Sequence, residues 1–288
     1  MDLMVEYLKA VLFGIVEGIT EWLPISSTGH MILLKEILPL NVSEEFWNMF
    51  EVVIQFGAIL AVVVIFFKQI FPFKWKEKNS KENGIKTYVH TDILILWVKI
   101  IVACIPAAIV GLLFDELLEK YLYHYVVVAV ALIIFGIAFI VVENWNKTRK
   151  PKINALSEIT YKTALIIGMF QLLAAIFPGV SRSGATIVGA LMIGVSRTVA
   201  AEFTFFLAIP VMAGASLLKL VKFGLDFTSA ELMILIIGFT VAFLVSVVVI
   251  KFLLKFIKKH DFKVFGWYRI ALGILVLVYY SINVFFAV

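Results

Sequence analysis

The chain has 288 residues, 62% of them hydrophobic and 16% charged, with a formal net charge of +5 and a mean hydropathy of +1.05. This composition excludes an ordinary soluble domain and indicates an integral membrane protein, whose spans must be helical because lipid offers the backbone no hydrogen-bond partners. The positive charge does not indicate nucleic-acid binding, because the lysines concentrate in a few loops between apolar runs. We expect no cleavable signal peptide, since the first apolar segment is long and carries acidic residues.

Eight apolar blocks follow one another along the chain. In order, they are Val5–Leu38, Trp47–Phe67, Ile93–Phe114, Tyr125–Val142, Ile159–Ile193, Ala200–Leu218, Leu232–Ile250 and Phe265–Phe286. Six are uninterrupted and long enough to span a bilayer core of about 30 Å. The first and the fifth are each broken by a proline, Pro24 or Pro178, and a serine-containing loop. Since proline removes a backbone donor and disfavours helix at the preceding residue, each broken block predicts two short helices joined by a loop.

Two short helices with a polar loop between them predict a re-entrant hairpin, which a bilayer tolerates only where the loop lines a cavity or is buried in protein. The two predicted hairpins, residues 5–38 and 159–193, also resemble each other. The segment GIVEGITEWLPISS of the first aligns with GMFQLLAAIFPGVS of the second, which pairs Ser27 with Ser181.

This internal similarity predicts the fold class. We expect one all-α polytopic membrane domain over residues 1–288, built as an inverted repeat. Each half, about 1–143 and about 158–288, would contain one re-entrant helical hairpin plus three transmembrane helices. Because the number of spans in each half is odd, the second copy is inverted, as in many membrane proteins with broken helices.

The charges of the loops predict the orientation. Segments 68–90, 143–162 and 251–263 hold 16 of the 25 basic residues, so the positive-inside rule places them in the cytoplasm. In this topology the first hairpin opens to the outside and the second enters from the cytoplasm. The two hairpin tips can then meet inside the bilayer, with the site opening to the outer side.

The first predicted tip concentrates groups that bind or activate an anion: Glu17, Glu21, Ser26, Ser27, Thr28 and His30. The two glutamates lie four residues apart and share one helix face. After the proline, Ser26 or Ser27 can cap the short helix that begins near Thr28, and the open amides and dipole of that helix favour an anion.

The second predicted tip, PGVSRSGAT, places Arg182 among hydroxyl groups: Ser181, Ser183 and Thr186. A guanidinium, hydroxyls and a helix N-terminus form a phosphate-binding set. Each residue alone has a simpler structural explanation, since serines in membrane helices often bond to their own backbone and a lone carboxylate or imidazole can be a packing partner. Arg182 is harder to explain structurally, because an unpaired guanidinium inside a membrane is unfavourable. The concentration of these groups at two tips therefore predicts an anion site.

Together, the segments EGITEWLPISSTGH and PGVSRSGATI resemble the two signature segments of the undecaprenyl-diphosphate phosphatase family (UppP, also called BacA). Length and span pattern agree as well, so the resemblance covers essentially the whole chain. It implies a multi-pass enzyme of the bacterial plasma membrane. Such an enzyme hydrolyses undecaprenyl diphosphate to undecaprenyl phosphate and inorganic phosphate, recycling the lipid carrier of peptidoglycan synthesis, and is associated with bacitracin resistance.

Diphosphate hydrolysis needs neutralisation of charge and an in-line nucleophile. Given the resemblance, we expect Glu21, Ser27, His30 and Arg182 to be catalytic. Ser27 would be the nucleophile with His30 as base or acid, or water activated by Glu21 or His30 would attack instead. Glu21 would orient His30 or, supported by Glu17, hold a divalent cation. The expected phosphate-binding hydroxyls are Ser26, Thr28, Ser181, Ser183 and Thr186.

The resemblance also implies stimulation by Mg²⁺ or Ca²⁺, and we expect no organic cofactor. The expected partners are a polyprenyl diphosphate lipid and membrane lipids, with a homodimer also considered and no nucleic acid. On architecture alone, the competing function is a transporter or flippase of a polyprenyl phosphate lipid, because inverted repeats and broken helices are common among transporters. A serine beside a candidate base favours the enzyme, since a transporter needs only to bind the anion.

Overall fold

Residues 3–74, 88–122, 124–224 and 226–286 are described by the computed structural model of the protein. In these ranges the chain is helical, and its only β-type pairings are two isolated bridges. The α-helices are α1 Leu3–Thr20, α2 Ser27–Ile37, α3 Glu44–Ile65, α4 Phe67–Ile70, α5 Thr91–Leu122, α6 Tyr125–Asn146, α7 Tyr161–Ile176, α8 Arg182–Met192, α9 Arg197–Phe223, α10 Ser229–Ile257 and α11 Lys263–Phe286.

Six helices of the described ranges are long and apolar enough to cross a membrane: α3, α5, α6, α9, α10 and α11. Each coincides with one predicted span, so the prediction of an all-α polytopic membrane protein is confirmed. Local sequence explains where two of them begin. Ser43 accepts a hydrogen bond from the Phe46 N–H at the start of α3, and Thr228 forms a reciprocal capping box with Glu231 at the start of α10.

The two broken blocks form two helix pairs, α1 with α2 and α7 with α8, and the helices of each pair pack on each other. The first loop, 21–26, contains Pro24, and the second loop, 177–181, contains Pro178. We call the loop 21–26 together with the first turn of α2 the first tip. The loop 177–181 together with the first turn of α8 is the second tip. The predicted helix break around each proline is confirmed.

The caps of α2 and α8 correct the internal sequence alignment by one residue. Ser26 precedes α2 and Ser181 precedes α8, and the side chain of each accepts a hydrogen bond from a glycine N–H in the following turn. Both serines have positive φ angles, 75° and 67°. The structural counterpart of Ser181 is therefore Ser26, and not Ser27 as the alignment predicts. The shift arises because one residue separates Pro24 from Ser26, whereas two residues separate Pro178 from Ser181.

Extensive helix contacts connect the two halves of the chain. α1 packs along α10, α7 along α5, α6 along α11, and α3 along both α9 and α10. Glycine makes some of these crossings close, since a Cβ built on Gly14 would meet the Gly238 carbonyl oxygen at 2.6 Å and the Val241 Cβ at 2.9 Å. The helices that carry the tips, α1 and α7, are thus each fixed to a spanning helix of the other half.

We expect Gly14→Ala to destabilise the protein by about 1–3 kcal/mol, because the new methyl group meets the α10 backbone and cannot be accommodated by a flexible side chain. Thermal unfolding in detergent measures this loss. Gly214→Ala is the matched control, because it adds the same methyl group on α9 with nothing within 4 Å. The control should leave the midpoint unchanged or raise it slightly, since alanine favours helix over glycine. Equal losses in the two variants would contradict a close α1–α10 crossing.

Candidate active site

An ion pair joins the two tips. Arg182 Nη2 lies 2.7 Å from Glu21 Oε1, and both side chains are largely buried. Two further contacts fix the second tip: Arg182 Nη1 donates to the Thr204 carbonyl at 2.8 Å, and Ser183 Oγ donates to the Glu21 carbonyl at 3.2 Å. Residues 161 positions apart in the chain therefore meet in one site.

The second carboxylate oxygen of Glu21 holds Ser27. Ser27 Oγ donates a hydrogen bond of 2.7 Å to Glu21 Oε2, and both residues are buried. Glu21 thus contacts the serine with one oxygen and the guanidinium of Arg182 with the other. A carboxylate so placed can accept the hydroxyl proton, and a nucleophile with an adjacent base that is itself oriented by a third group is the usual arrangement for covalent catalysis.

His30 makes its contacts elsewhere. Its Nδ1 lies 2.7 Å from the Ser26 carbonyl oxygen, which can only accept, so Nδ1 carries a proton. Its Nε2 lies 2.7 Å from the Tyr268 hydroxyl, and the two rings stack with centroids 5.6 Å apart. The sequence led us to expect His30 beside Ser27 or oriented by Glu21. In this arrangement the hydrogen bond of Ser27 goes to Glu21, and both ring nitrogens of His30 contact other groups.

The predicted phosphate-binding hydroxyls mostly serve the local structure of the tips. Ser26 and Ser181 cap α2 and α8. Ser181 Oγ also lies 3.1 Å from Ser183 Oγ. Thr186, which is fully buried, donates to the Arg182 carbonyl at 2.8 Å. These contacts bring the N-termini of α2 and α8 to the same place as the ion pair, where helix amides and dipoles favour an anion. Thr28 is half-buried in the first turn of α2.

Glu17 lies one helical turn before Glu21 and is fully buried. Among the described residues, neither of its carboxylate oxygens has a hydrogen-bond partner, and the same is true of the side-chain amide of Gln171. Its electrostatic neighbours include Glu21, Glu51 and Arg182. Within the described ranges, no group of three or more His, Cys, Asp and Glu residues is placed to hold a metal ion.

Sequence reasoning missed three residues of this region: Thr204, Tyr268 and Arg269. Thr204 Oγ1 donates to Thr186 Oγ1 at 2.9 Å, in addition to its carbonyl contact with Arg182. Arg269 is fully buried and donates to main-chain carbonyls of both tips. A signal for Arg269 was present, since an arginine inside the last apolar block is an intramembrane charge. Thr204 and Tyr268 have no comparable signal, because neither residue type is unusual in a membrane helix.

A cavity of about 420 Å³ lies between α1 and α11, next to His30 and Tyr268. Apart from these two residues and Thr20, its lining is apolar: Val16, Ile19, Leu23, Ile25, Val264 and Phe265. The site thus combines buried charged groups with an adjacent apolar cavity, a combination suited to a molecule with an anionic head and an apolar tail.

Comparison with known proteins agrees with this chemistry. Residues 10–275 match the family described as bacitracin resistance protein BacA. The chain belongs to the BacA family. It is 63% identical to an undecaprenyl-diphosphatase of Desulfitobacterium hafniense over 96% of this chain and 97% of the relative. It is 61% identical to undecaprenyl-diphosphatase 1 of Clostridium acetobutylicum (96% and 98%) and to an undecaprenyl-diphosphatase of Enterococcus faecalis (95% and 97%). The BacA match includes both tips and Arg269.

For this BacA-family chain we expect Glu21→Gln to lower the free energy of unfolding by about 3–5 kcal/mol, because it leaves the buried Arg182 guanidinium without its carboxylate. The double variant Glu21→Gln/Arg182→Gln removes both charges and should recover part of the loss. Thermal unfolding in detergent measures both changes and that of the single variant Arg182→Gln. Glu45→Gln, at an exposed acid in the first turn of α3, is the control and should change the midpoint little. A double variant at least as unstable as the sum of its single variants would contradict a stabilising ion pair.

Proposed function

We propose that this BacA-family protein acts as an undecaprenyl-diphosphatase, hydrolysing undecaprenyl diphosphate to undecaprenyl phosphate and inorganic phosphate. This reaction recycles the lipid carrier of peptidoglycan synthesis. Relatives named for this activity, at 61–63% identity over almost the whole chain, support it. One observation carries it beyond the names: Ser27 Oγ lies 2.7 Å from Glu21 Oε2, beside Arg182. A flippase has no use for a hydroxyl activated by a carboxylate, so this contact favours the enzyme.

The proposed mechanism begins with Ser27. Its hydroxyl oxygen attacks the terminal phosphorus of the diphosphate while Glu21 accepts the proton. The new Ser27–phosphorus bond replaces the bond to undecaprenyl phosphate, which leaves with the proton returned by Glu21. Water then cleaves the phosphoserine, releasing inorganic phosphate and restoring the hydroxyl. Arg182 neutralises the phosphate charge in both steps, which is the main requirement of phosphoryl transfer.

A second route through the same site uses water in place of Ser27. Glu21 or His30 would then activate the water, and Ser27 would only bind phosphate. For His30 this requires Nε2 to leave the Tyr268 hydroxyl, since Nε2 is the nitrogen without a proton when Nδ1 donates to Ser26. The direct Ser27–Glu21 hydrogen bond favours the serine route.

The phosphate groups would be bound by the hydroxyls and helix N-termini of the tips. The proposed set is Ser26, Thr28, Ser181, Ser183 and Thr186. The caps at Ser26 and Ser181 support this assignment, because α2 and α8 begin directly after them, at Ser27 and Arg182, so that both helix N-termini lie beside the ion pair that joins the tips.

Glu17 and Glu21 are suited to hold a divalent cation such as Mg²⁺ or Ca²⁺ together with diphosphate oxygens. The fit rests on the two buried Glu17 oxygens, which have no hydrogen-bond partner among the described residues. Mg²⁺ is commonly bound by one or two carboxylates plus substrate phosphates, without a complete protein cage. When bound, the cation would supply further neutralisation of phosphate charge.

An inverted repeat with two re-entrant hairpins accounts for the helix packing. The packing of α1 on α10 corresponds to the packing of α7 on α5 in the other half. Two further contacts join a helix to its own counterpart in the other half, α3 to α9 and α6 to α11. Gly136 and Gly266, in α6 and α11, each approach the carbonyl oxygen of the other. Such reciprocal contacts support a two-fold relation between the halves.

The proposed orientation places the basic connections in the cytoplasm and the mouth of the first tip on the outer side of the membrane. Within the first basic segment, 68–90, residues 75–87 lie outside the described ranges. The diphosphate would contact the tips, and the adjoining part of the undecaprenyl tail would lie in the apolar cavity between α1 and α11. The rest of the tail would remain in lipid.

We expect Ser27→Ala to reduce phosphate release from undecaprenyl diphosphate by more than about 10³-fold while substrate binding persists, because the variant lacks the attacking oxygen. If Ser27 only binds phosphate, the loss of one hydrogen bond would reduce turnover about tenfold at most. Ser216→Ala is the matched control: this buried serine donates to the Val52 carbonyl, away from the tips, and its loss should leave turnover unchanged. Near-normal turnover of Ser27→Ala would favour activated water.

The orientation is tested with single cysteines in a Cys104→Ser background and a membrane-impermeant thiol reagent. We expect Glu45→Cys, exposed at the start of α3, to react in intact cells. Lys259→Cys, exposed in the basic connection after α10, should react only after the cells are opened. The reverse pattern would contradict an outward-facing site without affecting the proposed reaction.

A further inference from the structure

Arg269 is a buried cation to which the proposed reaction assigns no role. It lies on α11 with no exposed surface. Its Nη1 donates to the Pro24 carbonyl at 3.2 Å, and its Nη2 donates to the carbonyls of Gly179 at 2.9 Å and Val180 at 2.7 Å. In the part of the chain that the structure describes, no carboxylate forms an ion pair with it. Burial of such a charge is unfavourable, so the hydrogen bonds of the guanidinium to these carbonyls must compensate for the loss of solvation.

These contacts belong to two different loops. Pro24 lies in the first tip, 245 positions from Arg269 in the chain. Gly179 and Val180 lie in the second tip, 90 and 89 positions away. The planar guanidinium presents several donors in a fixed fork, which allows one side chain to bind carbonyls of both loops together. A lysine ammonium has the charge but not this geometry.

The loops bound by Arg269 are also strained. Ser26 and Ser181, which follow the bound carbonyls within two residues, have φ angles of 75° and 67°. For a residue other than glycine this region is unfavourable, and the conformation persists only where surrounding contacts fix it. The hydrogen bonds of Arg269 are contacts of this kind at both loops.

We propose that Arg269 is a positioning residue that sets the separation of the two tips, so that Ser27 of the first and Arg182 of the second face the same diphosphate. The inference rests on the proposed phosphatase function. Ser27 lies three residues after Pro24, and Arg182 lies two residues after Val180, so a displacement of either loop moves a reacting group directly. A misplacement of about 1 Å is enough to reduce a rate roughly 10²-fold.

The test is Arg269→Lys, assayed for phosphate release from undecaprenyl diphosphate. Lysine keeps the positive charge but cannot bind both loops, so we expect kcat to fall about 10²-fold while KM changes only a few-fold. Arg197→Lys is the matched control. Arg197 is bound to Glu143, away from the tips, and its substitution should leave kcat unchanged in the folded protein.

Two outcomes would overturn the proposal. A normal kcat with a lower unfolding midpoint would make Arg269 purely structural. An increase of KM with a normal kcat would mean that Arg269 binds the substrate directly. The wild-type protein is assayed in parallel, and if it releases no phosphate the proposed function fails and the positioning role fails with it.

A second variant leaves Arg269 in place and decides the question if Arg269→Lys does not fold. A Cβ built on Gly184 would lie 2.7 Å from Arg269 Nη1, so Gly184→Ala should displace the guanidinium and lower kcat as well. In an Arg269→Lys background that folds, the same substitution should have little further effect, since the displaced group is gone. Gly214→Ala serves as the control with free space. A normal kcat for Gly184→Ala would contradict the proposal.

Discussion

The ion pair between Glu21 and Arg182 is the contact on which the rest of the site depends. A buried ion pair is stabilising only if the remaining polar atoms of both partners are largely satisfied. Here the second oxygen of Glu21 accepts from Ser27, and a second nitrogen of Arg182 donates to the Thr204 carbonyl. The requirement to satisfy these atoms therefore orders the serine hydroxyl that the proposed reaction uses. Stability and reactivity are linked through the same carboxylate.

The two helix breaks place helix N-termini beside this ion pair. Where a helix ends away from water, its free backbone groups need other partners. Ser26 and Ser181 supply acceptors for N–H groups at the starts of α2 and α8, and Arg269 supplies donors for carbonyls of both loops. The residues that make the breaks tolerable thus also bring two helix N-termini together, and an anion is favoured at that place.

The position of His30 changes the chemistry expected of the site. An imidazole next to a serine suggests a histidine base, but here the ring is held by the Ser26 carbonyl and the Tyr268 hydroxyl. The group in contact with the serine is the side chain of Glu21, which also forms the ion pair with Arg182. Proton transfer in the proposed reaction is therefore assigned to Glu21, with His30 lying beside the apolar cavity.

The sequence by itself determined the six spanning helices, the two helix breaks and most of the polar residues at the tips, including Glu21, Ser27 and Arg182. These features depend on hydropathy, proline and local spacing, which act over a few residues. Only the tertiary structure decided that Glu21 contacts Ser27, that His30 contacts Tyr268 and that Arg269 joins the two loops. Tyr268 and Arg269 lie on α11, far from the tips in the chain, so their contacts depend on how α11 packs against both tips. Glu21 and Ser27 are only six residues apart, and the path of the loop between α1 and α2 brings them together. The pairing of Ser26 with Ser181 as caps likewise depends on the path of each loop, which a difference of one residue changes.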